Sequence, residues 1–337
     1  MVQSGVEAFF DVSLWLPNQG VGQQIGGDGF VKHLARALEA AFPLAAERIC
    51  VPLASMLRAS GISRVLLVSC GVLGHFPLHA CPSCADDAVA LGEEFDVSYI
   101  PSAAVLRSLR ARSASPLRTR LLTVSDPMPH PRPLRFAAVQ QARITDAARR
   151  SGMPVRTVAE YEATREAFET AVRDASHVDF ACHGWLDQLQ AFDSGIELAD
   201  GPVTLRHLLD SRLLEGVSLV TLTSCQSAVA AGGPFEDEPV SLATGFLMAG
   251  ARAILGTLWL VDDLATTLLV ARFYRHHLLD GLPPTRSLGL AQSWVRSLTA
   301  ADTAAELGDP APSDSLHRQI RPFSHPLYWA PYVLTSG

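Results

Sequence analysis

The chain has 337 residues, with 27 basic and 34 acidic side chains and a net charge of −7. Hydrophobic residues make up 48% and charged residues 18%, which excludes a disordered or low-complexity chain and supplies a full core without staples. The acidic balance argues against a protein built to coat nucleic acid or anionic lipid, so neither direct nucleic-acid binding nor a membrane partner is expected.

No export or membrane-targeting segment is expected either. Met1 to Phe10 holds no basic residue, and the first positive charge is Lys32, the sole lysine. The longest apolar stretch, Ala253 to Val261, is too short for a bilayer span. Six Cys in this length suit a reducing compartment better than a disulfide framework. A cytoplasmic protein is the expectation.

The predicted elements alternate. A helix near 28–42 and strands at Ser63–Ser69 and Phe95–Ile100 suggest a smaller N-terminal α/β region, set at 1–115. The Arg- and Ser-rich stretch Arg107–Arg120 reads as an exposed connection. From 116 to 337 the pattern is regular: strand Leu121–Val124, helix 136–150, strand Pro154–Val158, helix 160–174, strand Val178–Cys182, strand Leu219–Ser224, helix 239–249, strand Ala253–Trp259, helices at Asp263–Leu279 and 284–299, and a last strand at Tyr328–Leu334. Short, nearly all-apolar strands alternating with helices predict a doubly wound, mostly parallel sheet with helices on both faces.

In such sheets reactive groups gather beyond the carboxyl ends of the strands. His183 follows the strand Val178–Cys182, and Cys225 follows Leu219–Ser224. A thiol beside an imidazole is a nucleophile and its base. Gly184, without a Cβ, lets a substrate backbone approach and offers an N–H to an oxyanion. Cys182 sits within its strand, turned away from His183 by alternation, and reads as core.

Two motifs, Ala181-Cys182-His183-Gly184 and Thr223-Ser224-Cys225-Gln226-Ser227, resemble the active-site motifs of the CHAT domain family, the caspase-like peptidases of clan CD. Glu238 to Arg252, Gly256 to Asp263 and His325 to Ala330 are similar to further family segments. So, upstream, are Phe76-Pro77-Leu78-His79-Ala80 and Tyr99-Ile100-Pro101-Ser102. The resemblance implies a caspase–haemoglobinase-like α/β fold and peptide-bond hydrolysis with no cofactor and no metal. It implies His183 as base, Cys225 as nucleophile and Gly184 in the oxyanion hole. It further implies a protein substrate, a regulatory protein partner that gates the site, and a role in bacterial signalling or defence. Gln226-Ser227 departs from the Glu-Thr common in the family after the Cys.

Acids near the expected edge suggest a pocket for Arg or Lys before the scissile bond: Asp193, Glu236, Asp237 and Asp262. Helix capping is the competing role for Asp262 and Glu238, and Gly232-Gly233 is a candidate gate. Cys81-Pro82-Ser83-Cys84 has zinc-like spacing, but without a second pair it reads as two free thiols. His276-His277 reads as surface. The competing function is a non-catalytic caspase-like adaptor that binds protein partners. A thiol acyl hydrolase of small molecules is a third reading.

Overall fold

The computed structural model describes residues 27–84, 89–112, 119–130, 134–185, 187, 190–223, 230–231, 240–310, 312 and 314–337. Its centre is an eight-stranded sheet in the order β1-β2-β13-β12-β9-β5-β3-β4. The strands are β1 (Arg64–Leu67), β2 (Asp96–Tyr99), β3 (Arg120–Ser125), β4 (Val155–Ala159), β5 (Ala175–Ala181), β9 (Leu219–Leu222), β12 (Ala253–Thr257) and β13 (Tyr332–Ser336). Five of them, β12-β9-β5-β3-β4, form one parallel block. The antiparallel β12/β13 pair joins it to a second parallel block, β13-β2-β1. The N-terminal strands therefore extend the same sheet as the C-terminal ones. The expected boundary at 115/116 falls outside the described residues.

Alternation along each strand feeds two cores, one per face. Leu121, Leu219 and Leu255 point to one face, beneath α1 (Gly27–Ala45), α2 (Val51–Ala59), α4 (Ala137–Arg150), α8 (Asp263–Leu278) and α9 (Pro284–Ser297). Leu122, Val178, Val220 and Ile254 point to the other, beneath α3 (Ala103–Ala111), α5 (Arg165–Val172), α6 (Leu205–Ser211) and α7 (Leu242–Met248). This is the doubly wound architecture that the apolar runs predict.

Several local outcomes differ from expectation. The stretch read as an exposed connection, Arg107–Arg120, begins inside α3, whose N-cap is Ser102 (Oγ accepts from Val105 N–H, 3.3 Å). Its Val105, Leu106 and Leu109 reach the core. The N-terminal helix runs past 42, through a π-helical turn at Ala46–Cys50, to Ala59. Val31–Ala59 is long and apolar enough to cross a bilayer by length and composition, although no unbroken apolar run announced it. Leu34, Leu38, Ala41 and Phe42 on this helix lie in the core.

The His276-His277 pair is not on an open face. His276 Nδ1 lies 2.7 Å from Asp280. His277 Nδ1 lies 2.8 Å from the Leu282 carbonyl and its Nε2 lies 3.0 Å from His177 Nε2. Burial pulls both His177, to about 3, and His277 below the usual imidazole range. The partner, on β5, is a hundred residues distant in sequence, so local spacing could not reveal it.

After β5 the chain forms a small antiparallel sheet, β6 (Gly184–Trp185), β7 (Gly195–Leu198) and β8 (Gly201–Thr204), and between β9 and β12 lies a two-residue antiparallel pair, β10 (Ala230–Ala231) and β11 (Val240–Ser241). Gly195 is essential to the β6–β8 sheet. A Cβ there would sit 2.2 Å from the Val203 carbonyl oxygen and 2.9 Å from Thr204 Cα. These are backbone atoms that cannot step aside. Gly195→Ala is expected to cost roughly 2 kcal/mol, read as a lower urea midpoint. An unchanged midpoint would show that the β7–β8 contact is dispensable.

Candidate active site

The block of five parallel strands is wound outward from β3. From β3 the chain crosses by α4 to β4 at one edge, then by α5 to β5 on the other side of β3. The crevice between the carboxyl ends of β3 and β5 is thus a topological switch point, where open α/β sheets accept ligands. The segments after β3, β5, β9 and β12 all start on this rim, because those strands are parallel.

His183 occupies that position. All seven β5 residues are buried, and the strand ends at Ala181. Cys182 remains in the core at 2% exposure. Burial, and then the charges of Asp179 and Glu197, push its thiol well above the ordinary range, so it is neither reachable nor ionised. His183 follows, half-buried, and Gly184 opens β6 opposite Ile196. The His183 carbonyl accepts the Glu197 N–H at 2.8 Å, which ties the turn to β7.

A second imidazole lies against the first. The rings of His130 and His183 stack with centroids 3.8 Å apart and planes 19° apart. His130 Nε2 lies 3.0 Å from Glu197 Oε2. The segment carrying His130 is anchored across the switch point. Asp126 N–H donates to the Ala181 carbonyl at 2.8 Å, and Asp126 Oδ1 accepts Leu134 N–H at 3.0 Å. Met128 N–H donates to Glu160 O at 3.2 Å. Sequence reasoning missed His130 and Glu197. The turn at Ser125-Asp126-Pro127 was legible, but no spacing joins residue 130 to residue 183.

The strand leading to the second motif is β9, next to β5, with Phe180 opposite Leu222. Thr223 is held to β5 through Oγ1 and N–H, both donating to the Phe180 carbonyl at 2.8 and 3.3 Å. Cys225, Glu236, Asp237 and the Gly232-Gly233 segment lie outside the described residues.

The described acids have partners within the chain. Asp193 accepts from Arg206 Nε and Nη2 at 3.2 and 3.0 Å, an exposed pair. Asp262 is the N-cap of α8, its Oδ1 accepting Ala265 N–H at 2.8 Å. Asp263, the first residue of α8, accepts Phe136 N–H at 3.1 Å, and its burial raises its carboxyl.

The motif His79 is interior. Its N–H donates to Tyr99 Oη at 3.0 Å and its Nδ1 lies 2.9 Å from the same oxygen, so two of the upstream motifs meet. Burial drives His79 down to about 3. Cys81 is buried too, in the same core cluster as Cys50. The last two motifs also meet: Trp259 Nε1–H donates to the Leu327 carbonyl at 2.9 Å.

The comparisons agree with this architecture. The separase of the Saccharomyces cerevisiae separase–securin complex aligns over 99% of this chain and 20% of its own, at a TM-score of 0.55 and 12% identity. The Arg-specific cysteine proteinase gingipain R aligns over 99% of this chain and 74% of its own, at 0.52 and 10% identity. These likenesses establish the caspase–haemoglobinase-like α/β fold. Mouse tetratricopeptide repeat protein 28 is 36% identical over 135 residues, which is 40% of this chain and 4% of that protein. The CHAT domain profile matches residues 32–337; the chain belongs to the CHAT domain family.

Proposed function

We propose that this chain is a cysteine endopeptidase that cuts specific protein partners, with His183 as general base and Cys225 as nucleophile. The observation that carries the reading is the placement of His183 at the β3/β5 crevice, one strand away from β9, the strand that runs toward Cys225. Family membership and the fold shared with gingipain R support it. In the reaction, the thiol yields its proton to His183 and the thiolate attacks the scissile carbonyl. Gly184 N–H and the Cys225 N–H steady the oxyanion. The amine leaves with the His183 proton, and water cleaves the thioester.

On this reading the acids Asp193, Glu236, Asp237 and Asp262 favour a basic side chain before the cleaved bond. For Asp193 and Asp262 that requires sharing a carboxylate with Arg206 or the α8 N-terminus. A protein partner controls access. The separase likeness comes from a complex with securin, and the curated relative is a tetratricopeptide repeat protein. The setting is the bacterial cytoplasm, in signalling or defence, as the family resemblance implies.

Alkylation rates test the dyad. Cys70 is exposed and serves as an internal reference thiol. Cys225 is expected to react with iodoacetamide at neutral pH roughly tenfold faster than Cys70 or more, because a paired thiolate is populated there. Peptide mass mapping reads both sites. A Cys225 rate no greater than that of Cys70 would favour the non-catalytic adaptor.

A further inference from the structure

We propose that His130 is a positioning residue for the base: clamped by Glu197, it fixes the ring plane of His183. The inference rests on His183 acting in catalysis, and it concerns a residue outside both family motifs.

Three contacts make the clamp. The first is the stack itself, at 3.8 Å and 19°, a van der Waals separation over the full ring face. The second is the His130 Nε2–Glu197 Oε2 pair at 3.0 Å. The third is the Glu197 N–H, which takes the His183 carbonyl at 2.8 Å. One β7 residue thus holds the His183 backbone with its own backbone and the stacking ring with its side chain. β7 is itself paired to β8 from Gly195 to Leu198, so the clamp rests on a hydrogen-bonded strand. The His130 side chain is only 13% exposed, which limits its own freedom.

Stacking engages ring faces and leaves the in-plane nitrogens to exchange protons. That is the division a positioned base needs. Turning His183 to another χ1 or χ2 well would break the face contact. Without His130, the imidazole gains about three χ1 wells and a broad χ2, and the aligned arrangement becomes a minority. Misplacement on the scale of an ångström costs up to about a hundredfold in rate.

His130→Ala is therefore expected to lower kcat by roughly 10- to 50-fold with KM within about twofold. His130→Phe keeps a ring of similar breadth against His183 and should restore most of kcat. Glu197→Gln, whose amide oxygen still accepts from His130, should resemble wild type, and Glu197→Ala should fall between. A stack also shifts the carbon-bound ring protons of His183 upfield. In NMR of histidine-labelled protein, assigned with His183→Ala, that shift should vanish in His130→Ala and persist in His130→Phe. The spectra need no turnover, so they decide the point even where cleavage waits on a partner. A wild-type kcat in folded His130→Ala, a loss confined to KM, or an equal loss in His130→Phe would overturn the proposal. If His130→Ala fails to fold, the Phe variant and its spectrum decide alone. Cys225→Ala separates this from the parent reading: cleavage surviving there defeats the peptidase assignment, whatever His130 does.

Discussion

Replacing His183 by Ala is expected to reduce peptide cleavage by roughly a thousandfold, and replacing Cys225 by Ala to remove it. The two losses differ in kind. Without the base, the nucleophile has no proton acceptor, and a thiol with the ordinary free value of about 8.5 is only a few per cent ionised at pH 7. Raising the pH to 9 would restore thiolate by roughly twentyfold, so the His183→Ala rate should climb over that range. It should stay below wild type because no acid serves the leaving amine. Cys225→Ala has nothing to ionise and should be flat. The fold should tolerate the His183 change, since Glu197 N–H bonds to the His183 backbone carbonyl, which alanine retains. The measurement is turnover of a cleaved peptide from pH 6 to 9, with circular dichroism as the folding control. Equal, pH-independent loss in both variants would show that His183 supports structure and does not move a proton. Full activity in His183→Ala would remove the base from the mechanism.

The route to that position was readable because it rests on short-range signals. The mainly apolar run Val178–Cys182 announces a buried strand, and the change to His183-Gly184 marks where it stops. Asp262 declares itself as an N-cap by its place before α8, and the structure gives it that bond. What stayed hidden depends on contacts distant in sequence. β13 runs parallel to β2 and antiparallel to β12, so the N-terminal strands complete the sheet begun after residue 119. No property of β1 or β2 alone could say so. β6 has two residues, too few for a period. α3 turns Val105, Leu106 and Leu109 toward the core, but Arg107 and Arg110 interrupt them and none of its residues is fully buried. His130 meets His183 only because β3 and β5 are neighbours.

Asp179 supplies a second large effect, this time on stability. It lies mid-strand in β5 at 1% exposure, between Thr123 of β3 and Thr221 of β9. Gln140 Nε2 donates to its two carboxyl oxygens at 3.4 and 3.2 Å, and Tyr274 is bonded to Thr221 at 2.9 Å rather than to Asp179. Burial raises this carboxyl from 3.8 to about 7, only partly opposed by Gln140. A raised folded-state value means the native protein holds the proton more tightly than the unfolded chain. Stability from this group is therefore complete below pH 3.8 and declines as pH rises through about 7, where the carboxylate must be buried charged. A shift of this size corresponds to a penalty on the order of 4 kcal/mol at pH 8. Asp179→Asn cannot ionise and escapes it. The variant should be close to wild type at pH 4 and markedly more stable at pH 8, read as a denaturant-midpoint difference that widens with pH. Other titrating groups affect both proteins alike, so the difference isolates this site. A gap constant from pH 4 to 8 would mean that Asp179 ionises at its ordinary value. The same charge helps hold the Cys182 thiol protonated. Burial is the larger cause there, and the Asp179 charge adds to it in keeping the neighbouring thiol protonated.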